Sequence, residues 1–571
     1  MIVVPQERIQ DFKARGWWGN TTLDDLFLKH VRERPDDEAC VDPVNAAAIV
    51  GGVGDRLTWR ETGIAVDRMA AVLHAHGIGK DDVVVIQLPN IIELGIAYLA
   101  LIRLGAIISP APVQYREHEL GYIIEKTEAV AAITADRIGK HQHGGMLMAV
   151  KTRAPTMRHV FVLGETCPAG AIDLEPLLDA VDGKQHRAAQ KASKSARITA
   201  DDIVTICWTS GTEAQPKGVP RSHNEWIIMG EGVVDAADLT PGMRLLNPFP
   251  MVNMAGISTS FVSWLLLGAT LVQHQPFDLA VFLQQIRDEK IDYTVAPPAI
   301  LNLLLQNEAL LEGIDFGRLK SIGSGSAPLS EWMVRTFHEK YGVQIVNYFG
   351  SNEGASFPSA WQDVPSPSDR AVFFPRLGEG RKWKAKLHDR IFTRLVDPET
   401  EQEITEGGKP GELRVKGATV FSGYWQAPDI NARAFDADGW FRTGDLFELA
   451  GDELQFIRFV GRLKDVIIRG GMNISSEEIE GHLAGHPAVA EAAVVGAPDP
   501  NLGERLAAFV VFKPDQTASL EEINRFLTQD KQIAVYKQIE RLETIAALPR
   551  NPVGKVLKRE LRDQLGSGVS A

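Results

Sequence analysis

The sequence predicts an α/β protein with two domains: a large N-terminal domain, whose sheets are rich in parallel strands and packed by helices, and a small C-terminal α+β domain. The length of 571 residues exceeds what one hydrophobic core supports, so two or more domains are expected. Residues 83–110 combine two β-type runs with an apolar helical run between them. Such a βαβ unit implies a parallel sheet covered on both faces. Beyond residue 461 the elements become shorter, which divides the chain into residues 1–461 and 462–571.

The βαβ unit begins with a largely β-branched strand at residues 83–88. Its helix runs to Leu104 and stops at Gly105, and residues 106–110 form the second strand. Residues 185–197 are polar and lack periodicity, so they are expected to form a surface connector.

Two capping boxes mark helices in the small domain. Ser475 is followed three residues later by Glu478, and Ser519 is followed by Glu522. Residues 489–495 alternate weakly between apolar and polar side chains and predict a strand between the two helices.

Composition excludes several classes of protein. The net charge of −14 and the lack of a basic block argue against a nucleic-acid partner. The three cysteines are far apart in the sequence, and the N-terminus has no signal-peptide pattern, which together favour a reducing, cytoplasmic location. Polar side chains interrupt the apolar stretches 91–108 and 257–272, so both are expected to be buried rather than to span a membrane.

A candidate phosphate-binding loop follows the β-type run of residues 203–208. Small residues allow the backbone N–H groups to approach an anion, and Lys217 offers a compact positive charge. Lys217 precedes Gly218, and Val219 follows, so the order differs from the P-loop of NTPases. Taken alone, the segment could also be a solvated turn. The candidate residues are Thr209, Ser210, Gly211, Thr212 and Lys217.

The segment resembles the phosphate-binding loop of the adenylate-forming superfamily, which comprises acyl-CoA synthetases, adenylation domains and beetle luciferases. The family pattern is Thr-Ser-Gly-Thr-Thr-Gly-x-Pro-Lys-Gly. Glu213 and Ala214 depart from it, and the role of Glu213 stays open. The resemblance implies a large domain of several subdomains with a small, mobile C-terminal domain.

Two further motifs resemble the adenine and metal sites of that family. Residues 347–354 combine an aromatic ring, a glycine, polar groups and a carboxylate, which suits stacking and a hard oxygen ligand for Mg²⁺. The resemblance implies that Phe349 stacks on adenine, Asn347 reads its amino edge, Asn352 faces the α-phosphate and Glu353 sits at the metal. The adenine turn would comprise Ser326, Ala327 and Pro328. The residues of the adenine turn could instead form an ordinary strand-to-helix turn, and Glu353 could instead be a solvated acid in a loop.

Three motifs nearer the C-terminus complete the resemblance. Asp445 would bind the ribose hydroxyls, although a turn aspartate can also cap its own backbone. Arg462 would contact the nucleotide, Lys464 would be the hinge of the small domain, and Gly471 would lie beside the thiol channel. Lys555 matches the catalytic lysine of the family and would neutralise charge as a carboxylate attacks the α-phosphate.

The acid pocket is the least specific part of the resemblance. Residues 250–256 resemble the segment that walls the pocket, and no aspartate is present there to hold an ammonium group. An apolar acid is therefore expected, either medium-chain fatty, alicyclic or aryl; the alternative is that the apolar residues are ordinary core. The candidate pocket residues are Asn253, Met254, Ile257, Ser324 and Ser356.

The resemblance implies an acid–CoA ligase that uses ATP, Mg²⁺ and coenzyme A. The acid would form acyl-AMP and pyrophosphate, and the acyl group would then pass to the CoA thiol. A stand-alone enzyme that loads a carrier protein is an alternative, and a luciferase-type oxygenase is less expected. An inactive acyl-adenylate-binding protein is a further alternative, because Glu213, Asn253 and Asn352 depart from the family pattern. A homodimer is left open.

Overall fold

The computed structural model divides the chain into two compact units. Unit 1 comprises Met1–Gly211, Pro216–Phe392 and Lys416–Phe441, and unit 2 comprises Thr212–Gln215, Thr393–Val415 and Arg442–Ala571. The predicted boundary at residue 461 stays a prediction. The structure describes residues 1–52, 54–209, 215–469, 472–499, 501–531, 533, 535–551 and 554–566.

Two large sheets, rich in parallel strands as predicted, form the frame of unit 1. Within the described residues, the first has the strand order Lys217–Ser222, Ile203–Thr209, Ile107–Pro110, Val83–Gln87, Ala131–Ala135, His159–Leu163 and Ile172–Asp173. The second has the order Phe357–Ser359, Gln344–Phe349, Ser321–Gly325, Tyr293–Val295, Arg244–Asn247, Thr270–Gln273, Glu38–Val41 and Arg56–Thr58. The interior strands pair in parallel, and antiparallel pairs occur at the edges.

Helices cover these sheets. They are Gln6–Ala14, Leu23–Glu33, Ala46–Val50, Trp59–Ala75, Ile92–Leu104, Glu117–Thr127, His143–Lys151, Leu174–Asp179, Gly183–Ser195, His223–Ala236, Met254–Gly256, Ser263–Leu267, Leu279–Asp288, Pro298–Gln306, Glu331–Tyr341, Pro367–Val372 and Pro428–Ala434. A π-helical segment, Ile257–Val262, joins two of them.

The predicted βαβ unit is confirmed. Strands Val83–Gln87 and Ile107–Pro110 pair in parallel, and helix Ile92–Leu104 connects them. The helix ends at Gly105, whose φ of +74° lies in the left-handed region that favours glycine. Both apolar stretches are buried, and among the described residues no helix is long and apolar enough to span a membrane.

The expectation that residues 185–197 form a connector is wrong. Residues 185–195 belong to the helix Gly183–Ser195, which begins with a capping box. The Asp182 carboxylate accepts hydrogen bonds from the backbone N–H groups of Lys184 and Gln185, and the Gln185 side chain accepts one from the Asp182 N–H. Only Ala189 of this helix is buried, and the helix is polar overall, so few apolar residues marked it in the sequence.

Two smaller sheets lie mainly in unit 2. In one, which has five strands, four adjacent strands have the order Phe456–Arg462, Phe441–Ala450, Gly411–Gly417 and Ile391–Val396. The other has the order Met472–Ser475, Val466–Arg469, Gly503–Phe512 and Val489–Asp499, with Arg541–Thr544 also paired to Gly503–Phe512. The described α-helices are Ser476–Leu483, Leu520–Arg525 and Lys558–Gly566.

Both predicted helix starts in this unit are confirmed. Ser475 accepts a hydrogen bond from the Glu478 N–H, and Ser519 forms a full capping box with Glu522. The C-terminal helix packs Leu561 and Leu565 into a small apolar cluster with Val495 and Phe509.

Candidate active site

A β-hairpin holds the two ends of the candidate phosphate loop. Thr209 is the last residue of its strand and pairs with Lys217, the first residue of the antiparallel return strand. The hairpin therefore fixes the position of Lys217 beside the start of the loop. Ser210, Gly211, Thr212 and Glu213 lie outside the described residues.

Tyr424 connects two of the predicted site residues, Lys217 and Glu353. Its hydroxyl donates a hydrogen bond to Glu353 Oε1 over 2.8 Å. Lys217 Nζ lies 4.6 Å from the centroid of the same ring, at the distance of a cation–π contact. Asn431 fixes the backbone of Tyr424, accepting from its N–H at 2.7 Å and donating to its carbonyl at 2.9 Å.

The sequence analysis did not identify Tyr424. It stands in a Gly-Tyr-Trp run at residues 423–425, and such a run is equally typical of ordinary core. Tyr424 and Glu353 are both buried, so this pairing required the tertiary structure.

The predicted adenine turn follows the strand Ser321–Gly325. A side chain at Gly325 would place its Cβ 2.3 Å from the carbonyl oxygen of Tyr348, so the close approach of the strands requires glycine. Ser326 has a φ of +65°, and Ala327 and Pro328 are exposed after it. The turn thus presents small, accessible residues.

Asn347 and Phe349 lie on the neighbouring strand. The amide nitrogen of Asn347 donates to the carbonyls of Arg370 and Ala371 at 3.1 and 3.0 Å. Both of its N–H groups have backbone acceptors, so Oδ1 is the atom suited to accept from an amino group. The ring of Phe349 stacks on Phe357 with centroids 5.1 Å apart.

Asn352 lies between two backbone segments. Its Oδ1 accepts a hydrogen bond from the Met254 N–H at 2.7 Å, and its Nδ2 donates to the Trp208 carbonyl at 3.4 Å. No local sequence pattern predicts these contacts, because Asn352 and Met254 are 98 positions apart in the chain.

The candidate acid-pocket residues combine buried apolar groups with polar groups that bond to the backbone. Met254 and Ile257 are 6% and 1% exposed and belong to a large apolar cluster. Asn253 accepts from the Gly256 N–H at 3.3 Å. The hydroxyl of Ser324 donates to the Ala296 carbonyl at 2.8 Å, and that of Ser356 to the Phe349 carbonyl at 3.2 Å.

Within unit 2, Asp445 and Arg462 lie opposite each other on antiparallel strands. Arg462 Nε is 3.2 Å from Asp445 Oδ1. Lys464 lies in the short 3₁₀ helix Leu463–Asp465. Gly471 lies outside the described residues.

Lys555 is held in a tight loop. Asn551 Oδ1 accepts from the Lys555 N–H at 2.8 Å, and the Asn551 N–H donates to the Lys555 carbonyl at 2.8 Å. Arg550 donates to the Gly554 carbonyl at 2.7 Å and pairs with Glu491 at 3.0 Å. These bonds fix the backbone around an exposed lysine.

The helix after this loop is anchored through Lys558. Its ammonium group donates to Ser476 Oγ at 2.7 Å and pairs with Glu480 at 2.9 Å. Burial raises the pKa of Glu480 to about 7, although the positive charge of Lys558 acts in the opposite direction. The sequence analysis identified neither residue, because isolated charges usually lie on a solvated face.

Comparisons with known proteins identify the family of the chain. The family described as AMP-binding enzyme matches residues 27–425, and the AMP-binding enzyme C-terminal domain matches residues 478–555. The chain belongs to the AMP-binding enzymes. It is 31% identical to 2-hydroxy-7-methoxy-5-methyl-1-naphthoate–CoA ligase of Streptomyces carzinostaticus, over 98% of this chain and 96% of that protein. It is 29% identical to enterobactin synthase component E of Escherichia coli, over 99% and 98%.

A solved structure of an AMP-binding enzyme relative has the same fold. ATP-bound MatB from Rhodopseudomonas palustris is 27% identical, with a TM-score of 0.77 over 95% of this chain and 99% of that chain. Membership in the AMP-binding enzymes makes this chain an adenylate-forming acid ligase, and enzymes of that kind use ATP with Mg²⁺. The relatives include CoA ligases and adenylating enzymes, so the acyl acceptor is not fixed by family.

The described residues of this AMP-binding enzyme are compatible with Mg²⁺ that binds together with ATP. No group of three or more metal-ligating His, Cys, Asp or Glu side chains occurs in the described part of the chain. Glu353 offers one oriented carboxylate, and Mg²⁺ is commonly held by one or two carboxylates together with substrate phosphates. The Glu353 carboxylate is therefore chemically suited to be a ligand of this Mg²⁺.

Proposed function

We propose that this protein is an acid–CoA ligase for an apolar carboxylic acid, either medium-chain fatty, alicyclic or aryl. It would form acyl-AMP and pyrophosphate from ATP, and then a thioester with CoA. One observation carries the choice of acid: the side chains of Asn253, Ser324 and Ser356 all bond to backbone groups. These bonds direct Asn253 Oδ1 and the two serine hydroxyls to the backbone, and Met254 and Ile257 would supply an apolar wall.

The first step would be an in-line attack by the acid carboxylate on the α-phosphorus. The new bond joins carboxylate oxygen to phosphorus, and the bond to the pyrophosphate oxygen breaks. Mg²⁺, when bound, would offset the repulsion between the carboxylate and the triphosphate. Lys217 would bind phosphate oxygens, and Glu353 would be kept in one orientation by Tyr424.

The nucleoside would be recognised by groups with matching hydrogen-bonding capacity. Oδ1 of Asn347 would accept from the adenine amino group, and Phe349 would stack on the ring. Asp445 would accept hydrogen bonds from the ribose hydroxyls, and Arg462, which pairs with it, would contact the nucleotide.

Lys555 would stabilise the negative charge that develops at the α-phosphate during the first step. In the second step the CoA thiolate would attack the acyl carbonyl, and AMP would leave. A rotation about Lys464 would withdraw Lys555 and bring the Gly471 segment to the thiol channel. The relatives named as CoA ligases support CoA as the acceptor.

A second candidate is an adenylating enzyme that loads a carrier protein, favoured by the similarity to enterobactin synthase component E. Incubation with ATP, acid and CoA, followed by mass spectrometry, separates the two. Acyl-CoA formed with multiple turnovers supports the CoA ligase. Acyl-AMP that accumulates without acyl-CoA, and moves only to a phosphopantetheinyl carrier protein, supports the alternative. An inactive binding protein would give neither product.

A further inference from the structure

The helical run that starts at Met254 is capped by two asparagines. Met254–Gly256, Ile257–Val262 and Ser263–Leu267 follow one another without a break. The first N–H groups of a helix have no acceptor within it. Asn253 accepts from Gly256, as an N-cap residue does, and Asn352 accepts from Met254 over the shorter distance of 2.7 Å.

The same Asn352 amide also reaches the strand that leads into the phosphate loop. Its Nδ2 donates to the carbonyl of Trp208. Trp208 is held firmly, since it pairs with Gly218 across the hairpin and its indole N–H donates to Ser109 Oγ at 2.9 Å. One side chain thus joins the phosphate strand to the start of the helix that bears Met254 and Ile257.

We propose that Asn352 is a positioning residue that couples the wall of the acid pocket to the phosphate-binding strand. The inference rests on the proposed function, because it takes Met254 and Ile257 as that wall. Both asparagines differ from the residues usual in the adenylate-forming pattern, and in this chain they act on the same helix N-terminus. An asparagine can accept and donate through two separate atoms, whereas a threonine has a single hydroxyl oxygen.

The coupling has a consequence for substrate affinity. Loss of the Asn352 acceptor would leave the Met254 N–H without a partner and release the first turn of the pocket helix. Because acid binding would then have to restore the ordered turn, the affinity for the acid should fall by a factor of about 5 to 150. The acid, which contacts that turn, would lose more affinity than ATP.

Two variants separate the contacts of Asn352. Asn352→Leu has nearly the same volume and removes both hydrogen bonds. Asn352→Asp keeps an acceptor for the Met254 N–H, loses the donor to Trp208 and adds a negative charge. We expect the KM for the acid, in acid-dependent pyrophosphate–ATP exchange, to rise about 5- to 150-fold in N352L. In N352D the acid KM should rise less than in N352L, because the Met254 N–H keeps its acceptor, and the KM for ATP should rise because the added negative charge repels the phosphates.

Asn224→Leu is the matched control. Asn224 is buried, whereas Asn352 is half-buried. The amide of Asn224 likewise bonds to the backbone, exchanging hydrogen bonds with Gly19 at 2.9 and 3.2 Å. It should lower the melting temperature without a selective rise in the acid KM. Equal rises of the acid KM in N352L and N352D, or none in N352L, would overturn the proposal.

Hydrogen–deuterium exchange gives a readout that does not need activity. Exchange at residues 254–258 should quicken in N352L and stay near wild type in N352D and Asn224→Leu. If N352L does not fold, Asn352→Ser takes its place. If the wild-type protein showed no pyrophosphate–ATP exchange with any acid, the proposed function would be overturned. Deuterium uptake at residues 254–258 that is the same in N352L as in the wild type would overturn the coupling itself.

Discussion

The hydroxyl of Tyr424 donates a hydrogen bond to Glu353 Oε1 over 2.8 Å. The face of the same ring contacts the ammonium group of Lys217. Tyr424 therefore contacts both the carboxylate of Glu353 and the ammonium group of Lys217, which belong to two separate sequence motifs. Glu353 has a second carboxylate oxygen, so this bond orients the group without using its whole capacity to bind a cation.

Tyr424→Phe should weaken metal-dependent nucleotide binding. The ring stays and keeps its contact with Lys217, but Glu353 loses the donor that orients it. A hydrogen bond to a charged group is worth about 1.5–3 kcal/mol, so Mn²⁺–ATP affinity should fall about tenfold or more. Electron paramagnetic resonance titration of Mn²⁺ measures this without turnover. Tyr424→Leu should lose more affinity, because it also removes the cation–π contact; equal affinity in Tyr424→Phe and wild type would contradict the assignment.

Lys555→Ala should remove adenylate formation and largely spare the second step. Loss of a positive charge placed at developing negative charge costs about 10²- to 10³-fold in rate. Pyrophosphate release reports the first step, and thioester formation from supplied acyl-AMP and CoA reports the second. Lys513→Ala, at an exposed lysine of the same unit, should change neither. An equal loss of both steps in Lys555→Ala would show that Lys555 supports structure rather than adenylation.

Glu480→Gln should change how stability depends on pH. Burial raises the pKa of Glu480 from 4.5 to about 7 in the folded state. Between these values the folded protein binds the proton more tightly than the unfolded chain, so this group makes the free energy of unfolding fall as the pH rises. Glutamine keeps an acceptor for the Val494 N–H, which donates to Glu480 at 2.6 Å, and does not titrate.

The difference in melting temperature between Glu480→Gln and wild type should therefore grow in favour of the variant from pH 5 to pH 7.5. The corresponding free energy is on the order of 1–3 kcal/mol. Thermal denaturation at several pH values measures it. Glu521→Gln, at an exposed carboxylate of the same unit, is the control for the loss of one negative charge. A constant difference for Glu480→Gln would rule out its titration as the cause.

Local patterns predicted much of the fold. The strand–helix–strand unit ending at Pro110 and the helix starts at Ser475 and Ser519 were predictable, because periodicity and capping act over a few residues. The helix Gly183–Ser195 was missed, although Asp182 and Gln185 form a capping box, because its residues are mostly polar and only Ala189 is buried.

The candidate site was predictable only motif by motif. Motifs that resemble the adenylate-forming superfamily identified Lys217, Glu353 and Asn352. No local pattern, however, predicts a contact between residues 98 positions apart, such as that of Asn352 with Met254. Tyr424 was missed for the same reason, since its significance lies in two partners far away in the chain. The roles of these residues in catalysis stay predictions.

Acid-dependent exchange of labelled pyrophosphate into ATP tests the central claim most directly. The wild-type protein should be assayed with medium-chain fatty, alicyclic, aryl and amino acids at equal concentration. The proposed function predicts exchange with at least one apolar acid and none above background with amino acids. Exchange with no acid at all, or strongest exchange with an amino acid, would contradict it.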